Sequence, residues 1–131
     1  MNIELIKILL AWAVFLSQYD KAPVPDVEEK PHSYFVKEVC GGKECNVYGW
    51  YNKGTIYLDK RLNESASEEI AVHEIVHYLQ DVSNKWDESS CKDRNLREKE
   101  AYLVQTKYSI EVMSKLPLRM SNLPICKEKI K

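Results

Sequence analysis

The chain has 131 residues, enough for one domain around one hydrophobic core and too few for a second. Charged residues make up 30% of it, yet the formal net charge is −1 and Lys and Arg are interspersed with Asp and Glu, which argues against a nucleic-acid partner. No internal repeat, Gly/Ser linker or low-complexity tract points to an array or a tethered tail.

Residues 1–20 contain an unbroken apolar run, Ile8 to Leu16, behind Lys7. The run is too short to cross a bilayer as a helix but matches the hydrophobic region of a secretory leader. It therefore predicts export, whether to a periplasm, the medium or a membrane-associated position. The alternative is an apolar helix retained in a cytoplasmic protein, packed into the core or resting on a membrane. Residues 21–32, with Pro23, Pro25 and Pro31 among charges, read as a linker, which leaves 33–131 as the folded domain.

The first part of that domain reads as strands. Ser33 to Val39 and Asn46 to Tyr51 are rich in aromatic and β-branched residues, and Asn52-Lys53-Gly54 supplies a turn into a third strand, Thr55 to Asp59. Cys40 and Cys45 flank Gly41-Gly42-Lys43-Glu44, a turn tight enough to let them bridge, which would leave Cys91 to pair with Cys126. An even cysteine count behind a leader-like segment fits an oxidising compartment. The absence of CxxC spacing argues against a cysteine zinc site.

The most informative stretch follows. In Ile70-Ala71-Val72-His73-Glu74-Ile75-Val76-His77-Tyr78-Leu79 two histidines stand four apart around a glutamate, with apolar neighbours and no proline. Residues four apart share a helix face, so His73 and His77 can both present a ring nitrogen to one metal ion, while Glu74 can reach a water on that metal without being a ligand. Zinc lowers the pKa of such a water, and the carboxylate can take its proton as it attacks a carbonyl. Ser65 and Glu68 fit a capping box that starts this helix.

A second helix, expected from about Asn95 to Ser114, carries the candidate third ligand. Glu98, Ala101, Gln105 and Tyr108 fall on one face, and the small Ala101 would allow a close approach to the first helix. Glu100 lies well round the helix from that stripe, so periodicity favours Glu98 without removing Glu100. The tail, with Pro117, Pro124 and lysines among its last five residues, reads as irregular and solvated.

The stretch Val72 to Gln80 resembles the active-site helix of the zincin metallopeptidases, and its gluzincin branch takes a third ligand from a glutamate on a later helix, often as Glu-x-x-Ala-Asp. Glu98-Lys99-Glu100-Ala101-Tyr102 matches that pattern except at Tyr102, where the family has a small polar residue that buttresses a ligand histidine. The resemblance implies one zinc ion on His73, His77 and Glu98, Glu74 as general base, and a peptide or protein substrate extended along a sheet edge. It also implies an oxyanion-stabilising side chain, for which Tyr48, Tyr51, Tyr102 and Tyr108 are all available. The expected architecture is α+β: a small antiparallel sheet of about three strands on two main helices, a minimal zincin-like core, with an apolar N-terminal helix. The alternative function is a zinc-bound scaffold that binds a peptide or protein partner without turnover.

Overall fold

The computed structural model describes residues 1–87 and 89–118. The order is α1 (Ile3–Ser17), β1 (Asp26–Lys30), α2 (His32–Glu38), β2 (Gly49–Asn52), β3 (Thr55–Asp59), α3 (Glu64–Ser83) and α4 (Cys91–Lys107), the last running into a π-helical turn at Tyr108–Val112. The class is α+β, with four α-helices and one three-stranded sheet among the described residues.

The sheet is mixed rather than antiparallel. Its order is β1-β3-β2, with β1 parallel to β3 (Val27 opposite Ile56) and β2 antiparallel to it (Tyr51 opposite Ile56). The parallel strand comes from the segment read as a linker, because Val27 among charges gives too weak an alternation to declare a strand. The hairpin between β2 and β3 turns on Lys53 and Gly54, whose φ values of 47° and 88° are those of a two-residue type I′ turn, where Gly is favoured. Ser33 to Val39 is helical instead of extended: Pro31 follows β1 and stands at the N-cap position of α2 without a side-chain cap, and only Phe35 of that short helix is buried. With β1 on its other side, β3 is the central strand, so the outer edges of the sheet lie on β1 and β2.

Helix α3 is the hub of the molecule. It packs against α1, α4 and the hairpin, and nearly every residue from Ala71 to Gln80 is buried. Ala71, Val72, Ile75, Val76 and Leu79 meet Ile56 and Leu58 of β3, Leu9, Leu10 and Ala13 of α1, and Ala101, Val104 and Tyr108 beyond them. Its start is two residues earlier than the expected capping box. Asn63 is the N-cap, its Oδ1 accepting from Ala66 N at 2.8 Å, while Ser65 accepts from Lys115 Nζ instead. Asn and Ser cap about equally well, so the choice falls to where the chain leaves β3. Helix α4 also starts earlier than expected, at Cys91 behind a Ser90 cap.

Cys40 and Cys45 are disulfide-bonded. The other expected bond ends on Cys126, which with the lysine-rich tail lies outside the described residues. None of the described helices is long and apolar enough to cross a membrane.

Because Leu9 is fully enclosed between α1 and α3, Leu9→Ala should lower unfolding stability by about 2–5 kcal/mol. Urea titration checks this; a change under about 0.5 kcal/mol, the ordinary surface value, would mean that α1 is not part of the core.

Candidate metal centre

Four residues set the site, all on two helices. His73 and His77 stand one turn apart on α3 with ring centroids 5.0 Å apart. Glu98 reaches across from the first half of α4, its Oε1 2.7 Å from His73 Nε2 and its Oε2 3.1 Å from His77 Nε2. Ala101 is fully buried at the α3–α4 contact, and its small side chain is what lets the carboxylate approach. One ligand atom from each of the three residues lies within 4.8 Å of the others, so the group can hold a metal ion.

The donor chemistry fits such an ion. Both Nε2 atoms face the carboxylate, and both Nδ1 atoms are occupied on the far side: His73 Nδ1 lies 2.8 Å from Gln105 Oε1, and His77 Nδ1 2.8 Å from Gln80 Oε1. An amide oxygen accepts, so each ring carries its proton on Nδ1 and offers Nε2 as the ligand nitrogen. Two imidazoles and one carboxylate, with a fourth position open, are the donor set of catalytic zinc sites.

The protein alone balances these charges internally. Burial disfavours ionised Glu98, but hydrogen bonds from His73 and His77 and their charges outweigh it and hold the carboxyl far below the usual range. Burial likewise pushes His77 down, but its hydrogen bond to Glu98 and the charges of Glu74 and Glu98 raise it to about 9.

Glu74 is buried beside the cluster without joining it. Desolvation raises its carboxyl pKa, opposed by the charges of His73 and His77. It sits under the start of β2, where Gly49 makes room for it: a Cβ there would run into Ile70 Cγ2 and come within 3.3 Å of Glu74 Cγ. The Tyr102 ring packs edge-on against His73, centroids 4.3 Å apart, and its hydroxyl is pushed up to about 12 by burial and by the charges of Glu98 and Glu74. Of the other tyrosines weighed from sequence, Tyr51 is engaged with Asp81, Tyr48 with Asn46, and Tyr108 lies in the core.

The structure thus gathers His73, His77 and Glu98 in one cluster and places Glu74 against it. Glu100 points elsewhere, toward Tyr19 and Gln80. Sequence reasoning missed Gly49 and both glutamines as partners of the site. Gln105 was on the predicted stripe, and Gln80 is one helical turn from His77, so spacing alone could have nominated them.

The pH dependence of metal binding follows from His77. Its proton stays on below about pH 9 and must leave when Nε2 takes a metal. Affinity for zinc should therefore tighten about tenfold per pH unit from pH 6 to 8 and level off near 9. Competition with a chromophoric chelator measures it; a flat profile over that range would show that metal uptake displaces no proton from His77. No protein-family model matches this chain, nor does any curated protein or solved structure, so the functional reading rests on its own residues.

Proposed function

We propose that the protein is a zinc-dependent hydrolase of peptide bonds, with a resemblance to zincins confined to one helix and a third-ligand segment. The observation that carries this is the convergence of two Nε2 atoms on the Glu98 carboxylate, with a buried carboxylate, Glu74, beside them and outside the ligand set.

A zinc ion held by His73, His77 and Glu98 would supply a Lewis acid that polarises a carbonyl and acidifies water. The protein's own groups do the rest. Glu74 takes the proton from the attacking water and gives it to the leaving amine, a role suited to a carboxyl whose pKa burial has raised toward the working pH. Tyr102 is the side chain we assign to the oxyanion. It is half-buried, its ring lies against a ligand histidine, and its high pKa keeps it a donor.

The substrate backbone has a place to go. β2 pairs with β3 on one side only, and at Gly49 this strand touches the general base. An extended peptide adding to its free edge would carry a carbonyl past Glu74 by main-chain hydrogen bonds, which reads little side-chain identity. The Cys40–Cys45 bond supports an oxidising, exported location for such an enzyme.

Two variants test the roles against a casein-like unfolded substrate. Glu74→Gln should keep one zinc per chain and lose about 10²–10⁴-fold in kcat. Tyr102→Phe should keep the zinc and lose about 10²–10³-fold. Chelator-insensitive cleavage, or a Glu74→Gln protein as active as its parent, would contradict the mechanism. Stoichiometric zinc with no turnover in the parent would favour a peptide-binding scaffold instead.

A further inference from the structure

Beyond the ligands, one chain of hydrogen bonds leads from the metal cluster to the N-terminal segment. His77 Nδ1 is 2.8 Å from Gln80 Oε1; Gln80 Nε2 donates to Arg97 O at 2.9 Å and to Glu100 Oε1 at 3.0 Å. Tyr19, just past α1, donates its hydroxyl to the same Glu100 oxygen at 2.5 Å, and Trp86 Nε1 donates to Tyr19 at 2.9 Å. Gln80 is almost fully buried, so its amide has no water to turn to.

The direction of this chain is forced. A main-chain carbonyl and a carboxylate oxygen can only accept, so the Gln80 nitrogen must face Arg97 and Glu100. Its oxygen is then left for His77 Nδ1, which must carry a proton, and Nε2 is the nitrogen free to bind a metal. Were Glu100 absent, Arg97 O alone would hold the amide and the second N–H would be left without its acceptor in a buried place, so the orientation that fixes the His77 tautomer would be held less firmly. Glu100 in turn is held by Tyr19, which hydrogen-bonds to it from outside α3 and α4.

We propose that Glu100 and Tyr19 are positioning residues of the metal centre, acting through Gln80 to fix the orientation and tautomer of His77. The residue that competes with Glu98 as a ligand in the sequence thus serves the same ion at one remove. The segment following α1 becomes part of the site as well as of the fold. This rests on the metal reading above and adds to it a role for residues that touch neither metal nor substrate.

Cobalt is the probe, since its visible spectrum reports ligand geometry. Glu100→Ala should weaken Co2+ binding about 10–100-fold and change the d–d bands, and Tyr19→Phe should shift both in the same direction by less. Leu9→Ala serves as the control: it lowers the melting temperature but leaves Co2+ affinity and spectrum at parental values. If Glu100→Ala and Tyr19→Phe both bind Co2+ with parental affinity and spectrum, the relay is wrong while the metal site stands. If they change no more than Leu9→Ala does at matched loss of stability, their role is structural and the proposal is overturned. A parent protein that takes up no Co2+ sinks the metal reading, and the relay with it.

Discussion

The structure depends on one shared carboxylate. Glu98 is half-buried between two imidazoles, and burial disfavours the charge it carries. Two partners that can each be cationic make the burial tolerable, and a divalent ion would do so more strongly. Everything around the carboxylate follows from bringing it there. Ala101 must be small, α4 must cross α3 near His73 and His77, and α3 must sit at the centre of the core so that neither helix can shift.

Charge explains the surroundings of the cluster too. Glu98 and Glu74 bring two negative charges, which a zinc ion would neutralise in full. Carboxylates behind both histidines would leave the centre anionic and weaken its pull on a carbonyl. The chain places neutral amides there, Gln80 and Gln105, and keeps the next carboxylate, Glu100, one hydrogen bond further out. Tyr102 packs its ring on His73, and Gln105, one turn on, accepts the hydrogen bond from His73 Nδ1.

What could be read in the sequence follows from how local each signal is. The i, i+4 histidines, the glutamate between them and the stripe through Glu98, Ala101 and Gln105 are periodicities inside single helices, and the fold uses them as written. The hairpin at Asn52 to Thr55 is equally local, fixed by backbone conformations that Gly54 favours. What escaped depended on partners far along the chain. β1 is a strand because β3 offers it a parallel edge, not because Asp26 to Lys30 alternates clearly. Ser33 to Val39 has strand-like composition, yet the chain turns out of β1 at Pro31 and continues as a helix. Tyr19 lies 81 residues from Glu100, and no spacing rule spans that distance.

The central claim is that one divalent ion joins His73, His77 and Glu98. X-ray absorption at the zinc edge of the reconstituted protein tests it most directly. The account predicts one zinc per chain with only nitrogen and oxygen neighbours at about 2.0–2.1 Å, and two-imidazole scattering that drops to one in His77→Ala. Sulfur neighbours at about 2.3 Å, or an unchanged spectrum in that variant, would place the metal elsewhere and contradict it.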